Sequence, residues 1–323
     1  MHDVLTVGRC GVDIYPLQTG VTLEEVTSFG KFLGGSPMNV AVAAARLGED
    51  CATLTGVGDD PFGRWVRQEM RRLGVSDEYV VVSHTLNTPV TFCEIIPPDH
   101  FPFFFYRQPS APDLQITPED LPRDQVVGAQ LFWFSGTGLC EEPSYGTHLE
   151  ALRVRGRVRH TVFDLDWRPM FWDDRSVAEG RYAECLEQST VAVGNREECG
   201  IAVGESDPDR AADALLERGV ELAIVKQGRN GVLAKTQDES IVVPELPATV
   251  MNGAGAGDSF GGAIVHGLLK GWDLERLITA ANAACEIVDS RLECSTEMPT
   301  EDEIERALKA GTADVLGTWV AAR

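Results

Sequence analysis

Short apolar runs alternate along this chain with segments whose apolar residues recur at helical spacing. Val4–Val7, Cys51–Val57, Leu131–Phe134, Thr161–Leu165, Val191–Val193 and Leu222–Lys226 are predicted as strands of a mostly parallel sheet covered on both faces. Between them, Phe62–Leu73 gathers Phe62, Trp65, Val66, Met70 and Leu73 on one side, and Phe260–Leu269 repeats apolar residues at 260, 264 and 268 and at 265 and 269. In residues 34–48, Ser36 reads as an N-cap, Pro37 as the first helical position and Gly48 as the C-terminal cap, with Met38, Ala41, Val42 and Ala45 on one narrow apolar face. This alternation predicts an α/β fold. Residues 14–33 and 80–107 break the pattern: extended runs rich in Val, Thr and Phe, interrupted by Pro97-Pro98, predict strands outside the main sheet. Phe101, Phe103 and Phe105 alternate with Pro102, Phe104 and Tyr106, so a strand there is apolar on both faces. One face should be covered by a second subunit or by closure over substrate.

The strongest chemical signal is Val-Met-Asn-Gly-Ala-Gly-Ala-Gly-Asp-Ser-Phe-Gly-Gly at 250–262. Gly253, Gly255 and Gly257 let a ligand approach the main chain at the head of a helix, where unbonded N–H groups face an anion. Asp258 sits at or beside the N-cap. A cap explains the acid but not the cluster of glycines, whereas a carboxylate beside an anion hole can take a proton from an attacking hydroxyl while the N–H groups receive phosphoryl charge. The loop is no P-loop, since Asp258-Ser259 stands where Lys-Ser/Thr is required, and it lies too late in the chain for a dinucleotide fingerprint.

Other polar residues fall at predicted strand ends, where open α/β sheets bind ligands. Asp13 follows the first strand, and Gly34-Gly35 precedes Asn39 in a first helical turn, a setting that suits a polyol. Asp164-Leu165-Asp166-Trp167-Arg168-Pro169 and Gly194-Asn195-Arg196-Glu197-Glu198 close two later strands. Carboxylates and an amide so placed could hold magnesium directly or through water, with surface solvation the favoured reading for Glu197.

The 28 basic residues against 50 acidic give a net charge of −22 and no basic cluster offsets it, which argues against nucleic-acid or anionic-membrane partners. An anionic substrate needs specific arginines. No apolar run reaches the length of a membrane span and no signal-like segment opens the chain, so a cytoplasmic protein is expected. Eight cysteines without a Cys-x-x-Cys pair and six histidines without ligand spacing point to buried thiols and no zinc site.

Taken in order, Asp13, Gly34-Gly35-x-x-x-Asn39-x-Ala41, Gly56-x-Gly58-x-Asp60, Asn195-x-x-Glu198, Gly228-x-x-Gly231 and Gly255-Ala256-Gly257-Asp258 resemble the ribokinase-like (PfkB-type) carbohydrate kinases over nearly the whole chain. The family's last loop usually opens on Asp-Thr, where this chain has Asn252-Gly253. The resemblance implies a three-layer sandwich, one unit over 1–323, with a mostly parallel central sheet and a small β-sheet lid from about 10–33 and 84–107. It implies Asp258 as base with Gly255, Ala256 and Gly257 at the catalytic loop, and Asp13, Gly34, Gly35 and Asn39 on the sugar. It also implies Asn195, Lys226, Gly228, Gly231, Gly253, Ala254, Gly255, Gly257 and Asn282 near the nucleotide, and Glu198 with Asn195 organising magnesium through water. ATP and Mg2+ are the implied cofactors, with room for a monovalent cation.

Within the family, Asp164-x-Asp166-x-Arg168-Pro169-x-x-Trp172 and Cys294-Ser295-x-x-Met298-Pro299-Thr300 resemble the 5-dehydro-2-deoxygluconokinase branch, which serves myo-inositol breakdown. Tyr106-Arg107 and Arg168-Pro169 are shared with 2-keto-3-deoxygluconate kinases. The implied partners are a small sugar acid, its carboxylate met by Arg107 or Arg168 or both, and ATP, with a homodimer expected through the lid. Ribokinase, fructokinase and adenosine kinase activities account less well for the arginines, and a catalytically idle sugar-binding regulator has no need of Asp258.

Overall fold

The computed structural model describes residues 1–317. Strands β1 (Val4–Val7), β2 (Gly11–Pro16) and β3 (Phe29–Gly34) lead to α1 (Ser36–Arg46), β4 (Cys51–Gly58) and α2 (Pro61–Arg72). Then come β5 (Val75–Ser76), β6 (Val80–Ser83), β7 (Val90–Cys93), β8 (Phe103–Tyr106), α3 (Arg123–Gly128), β9 (Leu131–Ser135), α4 (Ser144–Arg155), β10 (Thr161–Asp164) and α5 (Arg175–Leu186). The last part holds β11 (Val191–Asn195), α6 (Arg196–Ala202), α7 (Pro208–Glu217), β12 (Leu222–Lys226), β13 (Val232–Lys235), β14 (Ser240–Val243), α8 (Ala256–Leu269), α9 (Leu274–Asp289) and α10 (Glu301–Ala310).

The large sheet runs β14-β13-β12-β11-β10-β9-β1-β4-β5, with β6 also on β4. Its strands from β12 through β4 are parallel, and only β13 and β14 turn antiparallel. Alternation along β1, β9 and β10 explains the three layers: Val4, Trp133 and Val162 point to one core with α1, α2, α8 and α9, while Leu5, Phe132 and Phe163 point to the other with α3, α4, α5, α6 and α7. The second sheet, β3-β2-β7-β8, is the expected lid, and its segments fall within 10–34 and 90–106. The antiparallel pair β13–β14 has no counterpart in the sequence-based expectation.

Two helix starts differ from expectation. Helix α1 is capped by Gly35 with no side-chain cap, because the Ser36 hydroxyl turns instead to Asp164 Oδ2 at 3.3 Å. All of 36–44 is buried, so α1 has no narrow apolar stripe but is enclosed all round. Its alanines permit a close crossing with α8, where a Cβ on Gly262 would stand 2.2 Å from that of Ala43. That crossing brings the two N-termini together. Helix α8 itself begins at Ala256 after Gly255, which places Asp258 in the first turn rather than at the cap.

Candidate active site

Strand β1 lies between β4 and β9, so the chain order reverses there, and the carboxyl ends of β1, β10, β11 and β12 open on one crevice. The N-termini of α1 and α8 form its floor and β2, β7 and β8 its roof. The resulting cavity of about 200 Å3 is lined by Asp13, Gly35, Asn39, Asp164, Asp166, Arg168, Glu198, Lys226, Gly253, Ala254, Gly255, Gly257 and Asp258, and also by Arg9, Tyr15, Ser36, Thr91, Phe103 and Phe105.

The loop ahead of α8 is shaped by glycine geometry. Gly255 has φ +81°, and a Cβ there would stand 1.9 Å from Cys294 Sγ, so both backbone angle and space demand glycine. The N–H groups of the following turn have no intrahelical acceptor. Asn252 shapes the approach: its Oδ1 accepts from the Ala254 N–H at 3.0 Å and its amide donates to the Leu292 carbonyl at 2.7 Å. The side chain at this position is thereby committed to the loop itself.

Asp258 is half-buried, and its Oδ2 accepts a 2.7 Å hydrogen bond from Asn39 Nδ2. Burial pushes its carboxyl up to about 6, against the pull of donors on Asn39 and Ser36. Asp13 is raised by burial too, with the Arg9 charge and the Tyr15 hydroxyl, 2.9 Å from Oδ2, opposing. Gly34 is not among the residues lining the cavity; it makes room for this acid, since a Cβ would stand 2.1 Å from Asp13 Cγ. Gly35 has φ +109° and lies against the Arg9 carbonyl.

On the opposite wall, Asp164 is held well above the usual carboxylate range by burial and by Asp166. Burial works against the charge on Lys226, but Glu198, Asp164 and Asp166 outweigh it and raise its pKa. Asp166 Oδ2 is buried without a hydrogen-bond partner. Glu198 and Asn195 form a reciprocal capping box at the start of α6: Glu198 Oε2 accepts from the Asn195 N–H at 2.6 Å, and Asn195 Oδ1 from the Glu198 N–H at 3.0 Å. Only Glu198 of the two lines the cavity, and Glu197 is exposed as expected. Asp164, Asp166 and Glu198 are oxygen donors suited to magnesium, and the unpartnered Asp166 oxygen fits such an ion.

Arg107 is not brought to this cavity. It is buried in an ion pair with Asp113, Nη2 to Oδ2 at 2.9 Å, with its guanidinium over Phe171, and it lines a separate groove beside the lid. Arg168 does line the cavity, 2.9 Å from Asp166 Oδ1. That contact is an ion pair by distance but lacks the angle of a hydrogen bond. Arg9, which no motif singled out, lines it as well. Its signal was positional: it stands two residues past the end of β1, at the reversal of strand order.

Gly228 and Gly231 shape the turn from β12 to β13, where Val243 O would stand 2.1 Å from a Cβ on Gly231. Asn282 lines a second groove with Ile241, Val243, Leu246 and Thr279, and donates to the Pro244 carbonyl at 3.0 Å.

The model of the pfkB family of carbohydrate kinases matches residues 1–301. Two relatives called 5-dehydro-2-deoxygluconokinase, from Geobacillus thermodenitrificans and Bacillus subtilis, are 32% and 29% identical over 314 and 313 residues. These spans cover 95% of this chain in each case, and 93% and 96% of the relatives. Among solved structures, a candidate ribokinase II of Escherichia coli, crystallised with ATP and Mg2+, superimposes with a TM-score of 0.87 at 23% identity, covering 96% of this chain and 100% of its own. A carboxylate beside a glycine loop and a helix N-terminus, at the reversal of a parallel sheet and under a small second sheet, is thus joined to a family match over nearly the whole sequence, and the chain belongs to the pfkB family of carbohydrate kinases.

Proposed function

We propose that the protein transfers the γ-phosphoryl of ATP to the 6-hydroxyl of 5-dehydro-2-deoxygluconate, with Asp258 as general base. The observation that carries this reading is Asp258 itself: a carboxylate oriented by Asn39, in the first turn behind the Gly255 bend and facing the cavity. Asp258 takes the hydroxyl proton as the oxygen attacks phosphorus, the bond to the β-phosphate oxygen breaks, and ADP leaves. The first-turn N–H groups receive the charge on the transferred oxygens. Asp164, Asp166 and Glu198 would hold magnesium directly or through water, and the ion would neutralise charge on the phosphates. The relatives' shared name supports the substrate, and the ATP and Mg2+ of the E. coli neighbour support the donor.

In this reading Lys226 and the loop 253–257 meet the phosphates, and the apolar groove beside Asn282 takes the base. Asp13, Gly35 and Asn39 meet the sugar hydroxyls. A monovalent cation belongs to the reading, supported by the buried, unpartnered Asp289 Oδ1 beside Glu286 and Cys285; turnover equal in K+ and K+-free buffer would remove it. The lid is read as a dimer surface: Phe104 and Tyr106 are 43% and 67% exposed on edge strand β8. Sedimentation of a monomer with and without substrate would rule the dimer out. The substrate is tested by coupling ADP release to an assay over sugar acids and neutral sugars. Better use of fructose or ribose than of the acid would reject the specificity and leave the kinase assignment standing.

A further inference from the structure

Five carboxylates line the central cavity, those of Asp13, Asp164, Asp166, Glu198 and Asp258, yet they are matched unequally to its cations. Arg168 is 2.9 Å from Asp166, and Lys226 is surrounded by Glu198, Asp164 and Asp166. Arg9 is different. It is 8% exposed, its Nε is buried with no hydrogen-bond partner, and among the described residues no carboxylate oxygen comes within 4.0 Å of its guanidinium. The group is nevertheless fixed in place. Its backbone is clamped under Gly35, and Cζ stands 5.3 Å from the ring centroid of Phe105, an arrangement in which a flat guanidinium gains from the ring face while its fork stays free. Asp13 and Asp258 act on this charge only from beyond ion-pair distance, so the guanidinium is left able to take a ligand anion in the cavity it lines.

We propose that Arg9 binds the carboxylate of the acceptor and is the residue that makes this enzyme select a sugar acid over a neutral sugar. The inference rests on the sugar-acid reading above, and it moves carboxylate recognition to Arg9 from Arg107, which lies outside the cavity, and from Arg168, which is paired with Asp166. The position favours the acceptor over the nucleotide: Arg9 joins β1 to the lid strand β2, touches Phe105 of β8 and acts on Asp13, whereas Lys226 is set among Glu198, Asp164 and Asp166. A planar fork meeting a carboxylate gives directional, charge-assisted hydrogen bonds that a hydroxyl cannot replace.

The test compares 5-dehydro-2-deoxygluconate with its methyl ester, which keeps every hydroxyl and loses the charge, in the wild-type enzyme and in Arg9→Gln. Wild type should prefer the acid in kcat/KM by about tenfold to a hundredfold, and the preference should collapse in Arg9→Gln through a raised KM for the acid, with KM for ATP unchanged. A purely structural role for Arg9 would lower both substrates alike and keep the ratio, which would overturn the proposal. So would a raised KM for ATP alone, which would assign Arg9 to phosphate. The wild-type comparison needs no variant to fold: equal use of acid and ester refutes carboxylate recognition outright. If wild type fails to phosphorylate the acid at all, it is the substrate reading that falls, a result distinct from either outcome for Arg9.

Discussion

Replacing Asp258 by asparagine separates chemistry from architecture at this site. The Asn39 amide donates to Asp258 Oδ2 at 2.7 Å, and the side-chain carbonyl of the Asp258→Asn variant can accept the same bond, so the loop should keep its form. What the amide cannot do is take the proton. The loss expected in kcat is about 10²–10⁴-fold, or roughly 2.7–5.4 kcal/mol of transition-state stabilisation. The pH dependence supplies the sharper signature. With Asp258 pushed up to about 6, the base is mostly protonated at pH 5 and mostly ionised at pH 7, so kcat/KM should rise about tenfold across that interval and level off above it. In Asp258→Asn the residual activity should lack this limb. The stability sign is opposite. A carboxyl raised from 3.8 in the unfolded chain to about 6 in the folded one stabilises the fold most fully below 3.8, and the contribution is lost as pH rises through 6. At about 1.4 kcal/mol per tenfold change in proton affinity this is on the order of 3 kcal/mol as an upper bound, since Asp258 is only half-buried. Asp258→Asn should therefore melt no lower than wild type at pH 7. Steady-state kinetics from pH 5 to 8 with parallel thermal melts check both, and turnover within tenfold of wild type, or an unchanged acid limb, would refute the base assignment.

Three further outcomes follow from packing. Gly255→Ala strains a left-handed backbone and drives a methyl into Cys294, so kcat/KM for ATP should fall about tenfold or more; adding Cys294→Ala should recover only the part due to collision, because φ remains +81°. Arg107→Ala leaves the buried Asp113 unpaired and should cost about 3–5 kcal/mol in urea unfolding, while the folded enzyme keeps its KM for the sugar acid. Gly262→Val overpacks the α1–α8 crossing against Ala43 and should cost about 1–3 kcal/mol in thermal melts, with a fall in kcat because Asn39 and Asp258 are carried on those two helices.

The sheet and the glycine loop are legible in the amino-acid order alone, because both are written in local physics. An apolar run such as Val4–Val7 or Leu222–Lys226 can satisfy its side chains only when buried on both faces. A cluster of glycines ahead of an apolar helix has little use except close approach to its N–H groups. The loop at 250–262 could therefore be read without any contact being known, and so could the lid, since 80–107 lacks helical periodicity. Which charged side chains meet is a matter of tertiary packing. Ser36 looked like a cap but faces Asp164, because the helix starts one residue sooner, with Gly35 at the cap and Ser36 as its first residue. Arg107 follows Phe103 and Phe105 in alternation and by that count should look into the cavity with them. Strand β8 stops at Tyr106, however, and the guanidinium turns to Asp113, which no local pattern announces. Arg9 is the converse. A lone arginine between two strands carries no motif, and only the pairing of β1 with β4 on one side and β9 on the other puts it at the mouth of the crevice. Strand and helix formation are decided within a few residues, whereas the partners of a long charged side chain are set by contacts between segments far apart in the chain, and those the sequence leaves open.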